Sequence, residues 1–251
     1  GGGQTGGLAT ARRGGGSGAS SSVTTGLFSA NMLPDTLFVN VGTGGSGGTG
    51  LSSPTNGGSG SLSYVMMYPD TGFTAINVVL QSGNAAATGG VAGITNPASG
   101  GVAGTVWDGT GSVFQDLGLV SVYAGQNGVA GQTTPVPTNI SISGITTGGG
   151  VGAGTNGATP QNGGSIIGGG NIPTISGGTT GNTNGSGGYM STIPSINRTS
   201  NQQLVFTGGA GGASSNDSSG GVGGNGSYGC GGGGGGAAFT NLSGAGGRGG
   251  D

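Results

Sequence analysis

Lysine, glutamate and histidine are absent from this chain of 251 residues, which carries only 4 arginines and 6 aspartates and has a net charge of −2. Without those three side chains the usual general bases, Schiff-base amines and raised-pKa glutamic acids are missing, so we predict that the protein is not an enzyme. Four arginines cannot neutralise a useful length of phosphate backbone, which argues against a nucleic-acid partner. No apolar run approaches the roughly 18 residues of a spanning helix, so we predict no membrane span.

Cysteine is nearly absent as well, and the aspartates are scattered. Cys230 has no second cysteine for a disulfide and no histidine to activate it, so we interpret it as inert packing or an incidental free thiol. Asp108 and Asp116 are the only carboxylates placed to form the pair that a polysaccharide hydrolase needs, and this reading is kept as an alternative. The sequence therefore predicts no catalytic, cofactor-binding or metal-binding residues and no cofactor.

Glycine dominates what is present, since 72 glycines and 9 prolines make up about a third of the chain. Several runs repeat as Gly-Gly-X, a period of three that matches the three residues per turn of a left-handed extended helix whose backbone groups point sideways. A single run of this kind is typical of a flexible linker. Because the runs recur along the chain, we predict short polyglycine-II-type rods that hydrogen-bond to one another. The clearest runs are 44–50, 220–226 and 246–251.

The remaining pattern favours β-strands over helices. Glycine recurs too often for a helix to propagate, and no stripe of apolar residues has helical spacing. We therefore predict an all-β fold with little or no helix, in which short strands accompany the glycine-rich rods and long irregular loops. The predicted strands, rich in β-branched and aromatic residues and bounded by Gly, Pro or Asn, are 36–41, 62–68, 73–80, 112–123, 138–143 and 203–207.

Composition divides the chain into three parts of one continuous glycine-rich domain. Residues 1–61 form a glycine-rich segment with one strand unit, residues 62–147 are β-rich, and residues 148–251 are glycine-rich with loops. Six of the 12 aromatic residues lie between Leu62 and Tyr123, where we expect the most conventional apolar core. From about 148 to 186 we expect loops that reach away from the core. The sequence begins without Met, so we expect it to be a piece of a longer chain that extends beyond Gly1.

Two segments resemble the glycine-rich domains of tail-fibre and tip-adhesin proteins of tailed bacteriophages. The first is 28–48, which has an aromatic-Ser-Ala start, a Leu-Pro turn, a strand and then Val-Gly-x-Gly-Gly-x-Gly-Gly. The second is 230–251, in which a glycine run is followed by Gly-Ala-Gly-Gly-Arg-Gly-Gly-Asp. The resemblance implies an extracellular virion protein with polyglycine-II packing, and a homo-oligomer, often trimeric along the shaft.

The resemblance implies that the protein is a structural component of a tail fibre or surface fibre and contributes to host-cell attachment. Its partners would be other virion proteins and a bacterial surface receptor, either protein or glycan. The specificity loops of such adhesins vary, so no contact residue is carried over by motif. A cellular extracellular matrix, sheath or ice-binding protein built on the same scaffold is the alternative.

Three aromatic residues are candidate surface contacts. Trp107 could stack on a sugar of the host surface, although packing in the core is an alternative for its ring. Tyr189 and Tyr228 sit in polar, glycine-rich surroundings, where an exposed ring is available to a partner.

Overall fold

A computed structural model describes residues 11–69, 75–93, 98–110, 112, 114, 117–131, 138–156, 159–168, 172–181, 183–188 and 205–251. The predicted all-β fold with little helix is confirmed. Within the described part, helix is limited to two 3-10 turns, Ala30–Met32 and Ala75–Asn77, and neither is long enough to cross a membrane. The strands are β1 Ala11–Arg12, β2 Val23–Phe28, β3 Phe38–Asn40, β4 Tyr64–Met66, β5 Val78–Gln81, β6 Gly118–Tyr123, β7 Ile140–Ser141, β8 Thr155–Asn156 and β9 Ile166–Ile167.

These strands form four small sheets. Strands β3, β4 and β5 make a three-stranded antiparallel sheet, while β2–β6 and β1–β8 are antiparallel pairs and β7–β9 is a parallel pair. Five of the six predicted strand regions contain a strand, and each strand covers only part of the predicted region. In the sixth region, 203–207, Phe206 makes only a single bridge to Thr146.

The sequence reading missed β2. Its residues, Val-Thr-Thr-Gly-Leu-Phe, contain an interior glycine and no clean alternation, which weakens a strand prediction. Pairing along its full length with β6, from Val23 opposite Tyr123 to Phe28 opposite Gly118, stabilises it. The added Cβ of an alanine at Gly26 would lie 2.6 Å from the Phe28 ring and 2.9 Å from the Leu80 side chain. Close packing against Phe28 and Leu80 therefore explains why a glycine lies inside this strand.

The larger side chains gather in two clusters. Met66, Val78 and Trp107 form the first, with Tyr64, Leu80 and Val120 packed against it. This cluster confirms the expected apolar core in the aromatic-rich middle of the chain. The second cluster consists of Ile140, Ile166, Ile175 and Ala210.

The second cluster corrects the expectation of outlying loops at 148–186. Ile166 and Ile175 from this stretch are buried and exchange two backbone hydrogen bonds, at 3.0 and 2.9 Å. Val151 and Ala153 are buried as well. The prediction was wrong because it weighed only the low content of large apolar residues. Glycine-rich neighbours come close enough to bury even small side chains here.

Many of the remaining described residues belong to glycine-rich segments that are joined by backbone hydrogen bonds at three-residue steps. The segment 230–237, hereafter the central segment, shows the pattern most completely, because it bonds to five other segments. Its amides at 231, 234 and 237 donate to the carbonyls of Thr147, Gly150 and Ala153, and those at 233 and 236 donate to Gly224 and Gly221. Its carbonyls accept from Gly209 and Gly212, from Gly15 and Gly18, and from Gly244 and Gly247.

Asparagine side chains continue this bonding at the periphery. Six asparagines each accept a hydrogen bond through Oδ1 from a backbone amide of another segment, at 2.8 or 2.9 Å. The carboxamide thus takes the place of a backbone carbonyl where no further segment follows. The acceptors are Asn56, Asn127, Asn139, Asn162, Asn184 and Asn225, and their donors are Ala92, Ala103, Ser165, Thr180, Val222 and Arg248.

We expect Asn184→Ala to lower the free energy of unfolding by about 1 kcal/mol, because the Val222 amide then loses its acceptor. Asn184→Asp keeps an oxygen at the same place and should retain most of the stability. Urea unfolding followed by circular dichroism measures both. Equal losses in the two variants would contradict a role for the Oδ1 acceptor.

Candidate functional site

A groove of about 390 Å³ lies between glycine-rich segments and is the best candidate for a binding site. Six segments surround it: 15–21, 86–91, 57–61, 43–48, 244–250 and the central segment 230–237. In this order each bonds to the next, and the last bonds to the first, so that they form a closed ring. We call this arrangement the six-segment ring.

Two hydrogen bonds, three residues apart on both partners, join every adjacent pair of segments. In all six pairs the residue numbers run in opposite directions, so neighbours are antiparallel. The donor–acceptor pairs are Gly16–Val91 2.9 Å and Ala19–Thr88 3.1 Å; Gly57–Gly90 2.9 Å and Gly60–Ala87 3.2 Å; Gly58–Ser46 2.9 Å and Ser61–Thr43 2.9 Å; Gly246–Gly48 2.8 Å and Gly249–Gly45 2.9 Å; Gly247–Gly233 2.8 Å and Gly244–Gly236 2.9 Å; Gly18–Gly232 2.9 Å and Gly15–Gly235 2.9 Å.

The mouth of the groove is apolar. Strands β3 to β5 contribute Val39, Val65 and Leu80 to its lining, and Phe206 and Tyr228 stand on another side. The rings of these two aromatic residues pack edge to face with centroids 5.8 Å apart, and Tyr228 is 59% exposed. A ligand that leaves the groove at this end would therefore meet aromatic and aliphatic side chains.

Asp251 is the only charged residue among the described groove-lining residues. Its Oδ1 accepts hydrogen bonds from the Gly44 amide at 2.7 Å and from Arg248 Nη2 at 2.5 Å. The Gly44 hydrogen bond, followed by the charge of Arg248, lowers the pKa of the Asp251 carboxyl. Because this charge is already paired, the groove offers a ligand mainly backbone groups and apolar surface.

The three candidate surface-contact residues differ in where they lie. Trp107 is only 5% exposed and packs against Met66 and Val78, so its ring lies in the core and does not form a surface contact. Tyr189 lies outside the described residues. Tyr228 is exposed at the groove, beside Phe206, which the sequence reading did not single out.

Acidic and thiol groups do not come together in the described structure. No group of three or more potential metal ligands occurs among the described residues. Asp108 accepts a hydrogen bond from the Thr110 amide at 3.0 Å, which lowers the pKa of its carboxyl, whereas Asp116 lies outside the described residues. The proposed carboxylate pair therefore stays a prediction.

Arg12 is the most deeply buried charged side chain among the described residues. Its Nη1 donates to the Ala238 carbonyl at 3.1 Å, and its guanidinium carbon lies 4.3 Å from the centre of the Phe239 ring. Nε and Nη2 have no acceptor in the described structure. The carbonyl and the ring offset only part of the cost of burying this cation.

Cys230 is buried in the central part of the packing, and burial raises the pKa of its thiol to about 12. We therefore expect no reaction with a thiol-specific disulfide reagent in the folded protein near pH 8, because the thiol is both protonated and inaccessible. Unfolding in guanidinium chloride should release one reactive thiol per chain. Stoichiometric labelling of the folded protein within minutes would contradict the buried placement.

The chain matches no protein-family model and no curated protein sequence. The case for a function therefore rests on the residues and geometry described above.

Proposed function

We propose that this protein is a non-enzymatic structural protein of a bacteriophage virion, a tail-fibre or surface-fibre domain that contributes to host-cell attachment. The observation that carries the proposal is the six-segment ring together with the central segment, in which backbone bonds to backbone at three-residue steps. The resemblance of segments 28–48 and 230–251 to phage fibre proteins implies packing of this kind.

We propose further that the glycine-rich segments are polyglycine-II rods. Such a rod turns once in three residues and directs its amides and carbonyls to surrounding rods. The central segment fits this pattern, because its amides at 231, 234 and 237 donate to one neighbouring segment and those at 233 and 236 donate to another. Far-ultraviolet circular dichroism with a cooperative thermal transition supports the rods, and a random-coil spectrum without a transition contradicts them.

Physical stiffness would be the contribution of the scaffold to the fibre. Backbone hydrogen bonds between segments distant in sequence resist local opening, and a chain without lysine offers few sites to trypsin-like proteases. Attachment would then depend on shape, exposed aromatic rings such as that of Tyr228, and hydrogen bonds. With so little charge, binding to cells should change less than twofold between about 50 and about 500 mM salt.

Immunogold electron microscopy tests the proposed location. Particles encoded by the genome that carries this sequence are labelled with antibodies against the chain. Gold at the fibres supports a virion protein that lies outside the host cell and contacts other virion proteins. Gold on a cell surface or sheath, with unlabelled particles, contradicts it and favours the cellular matrix alternative.

The receptor is tested separately with the purified full chain on bacterial cells that the phage infects. We expect saturable binding that purified surface protein or glycan from those cells competes away. Antibodies that block the chain should also reduce adsorption of the particles. Normal adsorption with the chain fully blocked contradicts a role in attachment.

A further inference from the structure

We propose that the groove inside the six-segment ring is a binding position for an extended Gly-Gly-X segment supplied by a second polypeptide chain. Six antiparallel segments, each bonded to the next, enclose the volume that one more extended backbone would occupy. The proposal depends on the polyglycine-II packing proposed above, but it does not depend on a virion role.

The central segment shows what is missing. Its amides at 231 and 234 donate to the segment 147–153, and those at 233 and 236 donate to the segment 220–226. The third set, which includes Gly232, has no acceptor among the described residues, although Gly232 is buried and lines the groove. Because residues three apart share a direction in such a segment, this set faces the groove. Buried amides without an acceptor are rare, so an occupant with carbonyl groups is indicated.

Other walls of the groove offer the complementary group. Ala19 and Gly247 line the groove, and the carbonyl of neither residue accepts a hydrogen bond from a described residue. Donors and acceptors thus stand on different segments around the same space. A polypeptide backbone carries both kinds of group at a regular spacing and could satisfy them together.

The size and charge of the groove select the sequence of the occupant. Most of its described lining residues are Gly, Ala, Ser or Thr, and Asp251, the one charged residue among them, is already paired, so a neutral segment fits. Side chains on every residue would collide with the surrounding segments, as added Cβ atoms do throughout this packing. A repeat with two glycines in three leaves only one side chain per turn to place. At the mouth, an apolar residue next to the repeat would contact Tyr228.

Space for a side chain differs from one groove-lining glycine to the next. At Gly57 and Gly249, on two walls of the groove, the nearest atom to an added Cβ would be 3.3 and 3.2 Å away, whereas at Gly232 the Gly247 carbonyl oxygen would be only 2.2 Å away. A side chain can therefore be introduced at Gly57 with less displacement of the backbone.

The test uses the full chain and a synthetic nine-residue peptide, (Gly-Gly-Ser)₃, with (Ala-Ala-Ser)₃ as the control peptide. We expect weak, saturable binding of the glycine peptide, with Kd on the order of 1 mM, because a flexible peptide loses much conformational freedom on binding. Amide hydrogen exchange at Gly232 should be faster than at Gly231 in the free chain, and should slow at least threefold with the peptide. Equal binding of the two peptides, or unchanged exchange at Gly232, overturns the proposal.

Two substitutions locate the binding. Gly57→Leu places a side chain at the groove wall and should weaken peptide binding at least tenfold. Gly187→Leu introduces the same side chain away from the groove, where the nearest atom to an added Cβ is 3.8 Å away, and should leave binding unchanged. A circular dichroism melt confirms that each variant folds. The exchange measurement on the unsubstituted chain decides the proposal if Gly57→Leu does not fold.

These outcomes separate the groove from the functions proposed above. A cooperative melt without peptide binding retains the polyglycine-II rods and removes the groove proposal. Peptide binding by a chain that labels no virion retains the groove and removes the virion role.

Discussion

Gly211→Ala should lower the free energy of unfolding by at least about 3 kcal/mol, because overpacking against backbone leaves no easy relaxation. The new Cβ would lie 1.7 Å from the Val151 carbonyl oxygen and 2.4 Å from its carbonyl carbon. Gly211 also donates to Gly164 and accepts from Gly178, both at 2.9 Å, so a shift that relieves the overlap strains two hydrogen bonds. Against a typical total of about 5 to 15 kcal/mol, this loss is large.

Gly187→Ala is the matched control, since it makes the same chemical change in another glycine-rich segment. The nearest atom to its added Cβ is the Asn225 carbonyl oxygen at 3.8 Å, an ordinary contact. We expect its stability to stay within about 1 kcal/mol of the original chain. Chemical unfolding followed by circular dichroism compares the two. Similar losses in both variants would show that helix or strand propensity, and not backbone contact, decides where glycine is needed.

Trp107→Ala should cost about 3 to 5 kcal/mol, the range for a large aromatic residue removed from a core. Its ring packs against Met66 and Val78 at the three-stranded sheet, and the cavity left behind would be lined by residues that strand pairing holds in place. Tyr68→Ala is the control, because Tyr68 is 58% exposed and should lose less than about 1 kcal/mol. A stable Trp107→Ala variant with reduced binding to cells would instead support the surface contact considered from the sequence.

The strand predictions succeeded where β-branched and aromatic residues cluster and failed where pairing alone makes the strand. Val39 and Val65, which pair across β3 and β4, lie in two predicted regions. Strand β2 was missed because Gly26 interrupts its run of β-branched residues, and β6, a distant segment of the chain, supplies its pairing. The short strands at 155–156 and 166–167 were missed because two residues are too few to show an alternating pattern.

The groove could be predicted only in part. The period of three suggested segments that bond sideways, and Tyr228 was recognised as an exposed ring. Nothing in the surrounding sequence distinguishes Gly232 from Gly231. In the structure, however, the Gly231 amide has an acceptor among the described residues and the Gly232 amide has none. Which backbone group is left over depends on the segments that surround it, and these come from both ends of the chain.

The sequence by itself determined which side chains are available and how much of the backbone is bare. Lysine, glutamate and histidine are absent, and 72 glycines left long stretches without Cβ atoms. The tertiary structure decided which stretches lie side by side, that Trp107 and the region 148–186 contribute to the core, and that six segments enclose a groove. Glycine permits close approach in every direction, so its sequence specifies no particular neighbour, and only the folded chain selects one.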